Sequence, residues 1–175
     1  DQGVGGYGFH GLSYEYVTGV VEQAQPELHD GRIVIAHLGN GASMCAVRCG
    51  KSVGSTMGFS ALDGLPMGTR CGQIDPGVLL YFIDQQGMDP QQVLRMLYQE
   101  SGLLGLSGIS SDMRTLLASD APEAAEAIEH YVFRARRDVG AMTAVLGGID
   151  ALVFCGGLGA DAPPLRPPLT AGVGY

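Results

Sequence analysis

Two short apolar runs constrain this chain more than anything else in it. "IVIAHL" (33–38) is rich in β-branched residues and stops at Gly39-Asn40-Gly41. "DALVFCGG" (150–157) stays apolar until it runs into a pair of glycines. Each is too short for an ordinary helix and too uniformly apolar for a loop, so each reads as a buried strand ending in a glycine turn. After the first run, "SMCAVRC" (43–49) reads as a second strand, Gly50-Lys51 as a tight turn and "SVGSTMG" (52–58) as a third strand or a loop, which makes a β-meander. Helical patterns fill most of the remaining distance. Asp75-Pro76 and Asp89-Pro90 each place a capping residue before a proline at the first helical position, ahead of "PGVLLYFIDQQ" and "PQQVLRMLYQES". "GLLGLSGISSDMRTLL" (102–117) reads as a loop leading into a helix. The longest helical pattern, 121–148, has Ala124, Ile128, Tyr131, Val132, Ala135, Val139, Met142 and Val145 on its apolar face. Near the start, 11–25 reads as a helix capped by Ser13, with Tyr16, Val17, Val20 and Val21 on one side. The stretch 61–75 is glycine-rich, contains Pro66 and is irregular. Strands, then helices, then a strand define an α/β or α+β domain with a mixed sheet.

Composition narrows the functions. The 175 residues suffice for a domain with a sizeable core, and 46% hydrophobic against 16% charged residues is a globular balance. The formal net charge is −8 and no Lys/Arg cluster appears, which argues against a nucleic-acid partner. An anionic substrate would need a locally positive pocket. No apolar run is long enough to span a bilayer, and Asp1-Gln2-Gly3-Val4 lacks the basic and apolar regions of a signal peptide, so a cytoplasmic protein without a membrane partner is expected. The chain has no initiator Met and ends at "TAGVGY", and a fragment of a longer protein is expected. Cys45, Cys49, Cys71 and Cys155 form no CxxC pair and no metal-ligand spacing with the histidines. They read as reduced structural thiols, with Cys45 and Cys49 both expected to be buried.

Two stretches resemble phosphate loops. Gly50-Lys51-Ser52 copies the end of a P-loop, but the first glycine of that motif is missing and no helix follows, so Lys51 reads as a hairpin tip. Gly39-Asn40-Gly41 directly follows a buried strand. It can turn sharply and aim backbone N–H groups at an anion, and by itself it reads equally as an Asn-Gly hairpin turn. His37 beside it is either a phosphate donor or a satisfied core histidine. His10 sits in "YGFHGLS" just before a helix, as a functional or a turn histidine. Arg70 sits in "PMGTRCG", where a planar guanidinium among glycines suits an anionic transition state, and an exposed loop arginine is the alternative. "VFCGGLGAD" (153–161) partly copies a dinucleotide fingerprint, but too little chain follows to complete a βαβ unit.

In family order, "YGFHGLS", "HLGNGAS", "GKSVGSTMG", "GLPMGTRCGQIDP", "ESGLLGLSGISSDMR" and "VFCGGLGAD" resemble the acetate/propionate kinase family, in the superfamily of sugar kinases, heat-shock-cognate proteins and actin. The resemblance implies a ribonuclease H-like, actin-like ATPase domain, with a mixed sheet flanked by helices, one of two duplicated domains of the parent. Residues 1–175 would be mainly its nucleotide-binding domain, without the N-terminal domain and the extreme C-terminus. It implies Mg²⁺-dependent transfer of the ATP γ-phosphoryl group to acetate, giving acetyl phosphate and ADP. His10 and Arg70 would stabilise the transition state. His37, Leu38, Gly39, Asn40 and Gly41 would be a phosphate-binding segment. Asp112, Met113 and Arg114, with Gly157, Leu158, Gly159, Ala160 and Asp161, would contact adenosine. Acetate and ATP are the implied small-molecule partners, and a homodimer the implied assembly.

This sequence departs from the family pattern in ways that bear on activity. The family's chains are longer, and an Asn/Ser/Lys phosphate segment, a catalytic aspartate, a substrate-contacting arginine and a Mg²⁺-holding glutamate are expected outside this chain, with the metal ligands among them. The glycine motif reads Gly159-Ala160-Asp161 where the family has Gly-Glu-Asn. Asp161 can only accept hydrogen bonds and brings negative charge near phosphate. Pro167 and Pro168 fall where the family has a helix and are expected to break it. A propionate or other short-chain carboxylate kinase is the alternative activity. A catalytically dead fragment that binds nucleotide or dimerises is the alternative from another class.

Overall fold

A computed structural model describes residues 3–157 and 166–171. Helix α1 (Gly11–Ala24) and a 3-10 turn (Pro26–Leu28) lead into strands β1 (Arg32–Leu38), β2 (Ala42–Arg48) and β3 (Lys51–Ser55). Helices α2 (Pro76–Asp84), α3 (Pro90–Gln99), α4 (Gly102–Ser107), α5 (Met113–Leu117) and α6 (Pro122–Leu146) follow. Strand β4 (Ala151–Cys155) and a short helix α7 (Arg166–Thr170) complete the described chain. The sheet order is β3-β2-β1-β4, with β1/β2 and β2/β3 antiparallel and β1/β4 parallel. This is the mixed sheet expected from the two apolar runs, which lie side by side.

Alternation along β1 explains why the first run is apolar throughout, whereas β4, expected to be buried, is the edge strand of the sheet and is half-buried along its whole length. Val34, Ala36 and Leu38 join the core shared with α6, while Ile33 and Ile35 join a second core roofed by α1. Both faces of the central strands are therefore covered, and each residue must be apolar or hydrogen-bonded. α6 lies across one face and anchors it with Ala124, Tyr131, Ala135 and Val139. Among the described residues no helix is long and apolar enough to cross a membrane.

Several local expectations are corrected. Ser13 does not cap α1. The helix starts earlier, with His10 at the N-cap position in a left-handed conformation (φ 59°, ψ 18°). The buried side of α1 is Tyr14, Val17 and Val21, while Tyr16 and Val20 point to solvent. On α6, Val145 is exposed and Leu146 takes the core position. Cys45 is buried as expected, but Cys49 is exposed, because the two-residue turn is Cys49-Gly50, with both residues at positive φ, and Lys51 already pairs with Arg48. The start of 102–117 is helix α4, held by buried Leu103 and ended by Gly108 at φ 64°. Pro167 and Pro168 sit within α7, in its first turn, where backbone N–H groups have no intrahelical acceptor and a missing donor costs little. Fully buried Leu169 fixes that turn to the core beside α6.

Candidate functional site

Because β1 and β4 run parallel, their carboxyl ends lie together, with His37 paired to Cys155. The turn 39–41 and Gly156-Gly157, which open a helical turn directly after β4 where a plain glycine turn was expected, therefore leave the sheet at the same end, where ligands of such sheets bind. They are in contact: a Cβ on Gly156 would lie 2.6 Å from the Leu38 carbonyl oxygen. Within the first turn, the Gly39 N–H donates to the Gly41 carbonyl over 3.1 Å.

The irregular stretch 61–75 is held against this turn by backbone bonds. Gly68 N–H donates to the Asn40 carbonyl (3.0 Å), Met67 N–H to the Arg70 carbonyl (3.0 Å), and the N–H groups of Leu103 and Leu104 to Met67 and Gly68 (2.9 and 3.0 Å). Any side chain at Gly68 would collide with the Asn40 amide oxygen, so glycine is what lets the loop approach. From α6, Arg134 and Arg137 hold Gln73 by its carbonyl and its side-chain oxygen. Arg70, two residues beyond Gly68, is thereby delivered to the site. Its Nη1 donates to the Ala61 carbonyl at 3.3 Å and to Met67 Sδ at 3.6 Å, and among the described residues no carboxylate pairs with it.

His10 arrives from the other side of the chain. In the antiparallel register His37 lies opposite Ser43, so both point to the face under α1. The His10 ring stacks on His37 at 4.1 Å and 20°, and its Nδ1 lies 2.7 Å from Ser43 Oγ. A Cβ on Gly41 would lie 3.5 Å from His10 Nε2 and 3.6 Å from Arg70 Nη1. Two nitrogen groups from distant parts of the chain thus converge over one bare glycine. Burial lowers the His10 pKa, and the neighbouring His37 and Arg70 lower it further. Burial also lowers that of His37. Both rings are therefore biased toward the neutral form, which has a single N–H donor.

Next to these groups is a cavity of about 480 Å³ lined by Gly39, Asn40, Ser111, Asp112, Met113, Arg114 and Gly157. The structure thus gathers the turn, the Asp112–Arg114 stretch and the start of the glycine motif around one space. Their roles differ. Asp112 caps α5, accepting from Arg114 N–H at 2.9 Å, and its carboxylate pairs with the Arg114 guanidinium at 2.8 Å. Those hydrogen bonds, the side-chain one first, hold its pKa below the usual carboxylate range. The side chains of Met113 and Leu38 are buried in the core. Leu158, Gly159, Ala160 and Asp161 lie outside the described residues. No group of three or more His, Cys, Asp or Glu that could hold a metal ion occurs among the described residues. Sequence reasoning missed Gly68, Ser43 and Tyr14. Tyr14 follows His10 by one helical turn, and Ser43 faces His37 across a three-residue hairpin loop, so spacing could have pointed to both.

The Acetokinase family profile matches residues 1–173. An acetate kinase of Methylocella silvestris is 59% identical over 95% of this chain and 41% of its own length. One of Rhodopseudomonas palustris is 58% identical over 95% of this chain and 42% of its own. The crystal structure of Porphyromonas gingivalis acetate kinase superposes with a TM-score of 0.91 at 36% identity, over 95% of this chain and 43% of that one. A propionate kinase from Francisella tularensis superposes with a TM-score of 0.87 at 38% identity, over 94% and 43%. The chain spans roughly two-fifths of the length of the curated relatives it matches.

Proposed function

This chain belongs to the Acetokinase family, and from that premise we propose that it is the nucleotide-side part of an acetate kinase. Its mixed sheet flanked by helices is the actin-like ATPase fold of those relatives. The reaction is transfer of the ATP γ-phosphoryl group to acetate, giving acetyl phosphate and ADP. The observation that carries this reading is the convergence of His10 Nε2 and Arg70 Nη1 over Gly41, beside a cavity large enough for part of a nucleotide.

Phosphoryl transfer asks a protein mainly for positioning and for stabilisation of charge on the equatorial oxygens. The bare backbone at 39–41 lets donor phosphates approach, and Asn40 offers an amide. Arg70, with no competing carboxylate among the described residues, can close on an oxyanion. A neutral His10 can donate one N–H beside it. The cavity continues to Arg114, whose guanidinium plane can lie along the base while the remaining lone pairs of the Asp112 carboxylate, held in place by Arg114, can accept from sugar or base donors. Gly157 would close the adenosine end. Magnesium would supply charge neutralisation between the phosphates. The described residues offer no cluster that fits it, so its ligands would lie outside them.

The structure of the propionate kinase keeps a longer acyl substrate as a second reading. Helix α2 buries none of its residues and exposes Leu80, Tyr81 and Ile83, which supports a homodimer surface there. A monomer in sedimentation would remove that assignment. A cytoplasmic location fits the same reading. The function is tested by incubating the full natural chain with ATP, Mg²⁺, hydroxylamine and either acetate or propionate. Acyl hydroxamate is expected with acetate above propionate, and none is expected from the 175 residues alone. No hydroxamate from the full chain with either acid would sink the reading.

A further inference from the structure

His10 has two ring nitrogens with different neighbours. Nε2 faces Gly41 and Arg70, whereas Nδ1 lies 2.7 Å from Ser43 Oγ. Ser43 is fully buried, and its oxygen also meets the hydroxyl of Tyr14, which is 7% exposed. The chain Tyr14–Ser43–His10 therefore runs from beneath α1 to the edge of the candidate site. It contains two hydroxyls and an imidazole, and each hydroxyl carries one proton.

Those protons can be ordered in two directions. If His10 Nδ1–H donated to Ser43, the two hydroxyl protons could not both be placed: with Tyr14 donating to Ser43, the Ser43 proton would be left over, and otherwise the Ser43 proton would go to Tyr14. In that second case the phenol proton would need another acceptor, and among the described residues the Tyr14 hydroxyl meets Ser43 Oγ. A buried donor would be left unmade, which proteins avoid. In the opposite direction Tyr14 donates to Ser43, Ser43 donates to Nδ1, and every proton is placed. Nδ1 is then the acceptor, so the ring's own proton sits on Nε2.

We propose that Tyr14 and Ser43 are positioning residues that fix His10 as its Nε2–H tautomer and aim that N–H at the space over Gly41. That the acceptor there is a phosphoryl oxygen rests on the kinase reading. The tautomer itself does not.

Three features make the tautomer matter. The ring cannot easily turn over, because it stacks on His37 and leaves a backbone in the left-handed region, where non-glycine residues are held only by their surroundings. It is faced by His37 from β1, Arg70 from 61–75 and Tyr14 from α1, and burial, with the His37 ring and the Arg70 guanidinium beside it, favours its neutral form. A neutral imidazole has one N–H, so the wrong tautomer would turn a lone pair toward the developing charge. At the far end, burial raises the Tyr14 pKa well above that of a free phenol, so the proton that starts the chain is kept at any ordinary pH.

The test uses the full natural chain with ¹⁵N-labelled histidine and long-range ¹H–¹⁵N correlation spectra, with His10→Gln to assign the signal. Wild-type His10 is expected to show the Nε2–H pattern above its titration. Tyr14→Phe keeps the ring and removes the phenol proton. It should give a mixture with the Nδ1–H form and lower kcat by about 10- to 100-fold, by analogy with the range seen when the outer hydrogen-bond partner of a metal-ligating histidine is lost. KM for nucleotide should stay within about twofold. Ser43→Ala should act in the same direction. An Nδ1–H pattern in the wild type overturns the proposal, whether or not any variant folds. So does Tyr14→Phe with a pure Nε2–H signal, whatever happens to its kcat, since a rate loss without a tautomer change is a merely structural effect. A wild type that forms no acyl phosphate yet shows the Nε2–H pattern, loosened in Tyr14→Phe, would remove the kinase reading and leave the positioning chain standing.

Discussion

Strand β2 carries a glycine turn at each end, and the two turns have opposite surroundings. At one end is Gly41, in Gly39-Asn40-Gly41. At the other is Gly50, in Gly50-Lys51-Ser52, the better match to a phosphate-loop motif. A Cβ placed on Gly41 would meet His10 Nε2 and Arg70 Nη1, whereas one placed on Gly50 would lie 2.7 Å from Glu22 Oε1. An anion approaching Gly41 finds donors, and one approaching Gly50 finds a carboxylate. Lys51 does not offset that carboxylate, because it is exposed at the start of β3. Both turns have a permissive backbone. What distinguishes them is the set of residues brought above the glycine from elsewhere in the chain.

The comparison is easiest to break at Arg70. Arg70→Ala in the full natural chain should lower kcat by about 10²–10³-fold, as loss of a transition-state donor does. Nucleotide affinity, read by equilibrium titration, should change little. An equal fall in affinity and rate would make Arg70 a ground-state clamp instead, and the contrast with the Gly50 turn would become one of binding alone. The next effect in size is at Gly68. Gly68→Ala pushes a methyl group into the Asn40 amide and should cost about 1–3 kcal/mol in denaturant unfolding, together with a raised KM for ATP. Wild-type stability and KM would mean that the 39–41 turn does not depend on its packing against 61–75. The smallest effect is at the other end of β2. Lys51→Ala should leave stability within about 0.5 kcal/mol and leave the kinetics unchanged. A large rise in KM for ATP there would restore the phosphate-loop reading of Gly50-Lys51-Ser52.

Elements whose cause is local were legible in the sequence. β1 and β4 are continuous apolar runs, and they are strands. Asp75 and Asp89 precede prolines, and each accepts a backbone N–H at a helix start, with Asp89 completing a capping box with Gln92. The expectations that failed depended on a neighbour. Ser13 has the chemistry of a cap, but stacking on His37 and the bond to Ser43 hold His10 at that position. Cys49 follows the strand alternation of Cys45 and still lies in the turn, because the hairpin takes Cys49-Gly50 at positive φ. Gly102 and Gly105 hid a short helix that burial of Leu103 holds in place. Pro167 and Pro168 looked like helix breakers, but the helix begins just ahead of them.

The site divides in the same way. His10, His37, Arg70, the 39–41 turn and the 112–114 stretch each stood out by residue type and setting, and a resemblance to one family tied them together. The sequence by itself determined the strands, the caps and which turns have bare backbone, because those properties belong to a residue and its immediate neighbours. Only the tertiary structure decided that Gly41 lies under two nitrogen donors and Gly50 under a carboxylate. The field over a glycine comes from groups distant in the chain, and the parallel pairing of β1 with β4, the seating of α1 and the packing of 61–75 against Asn40 determine which of them arrive.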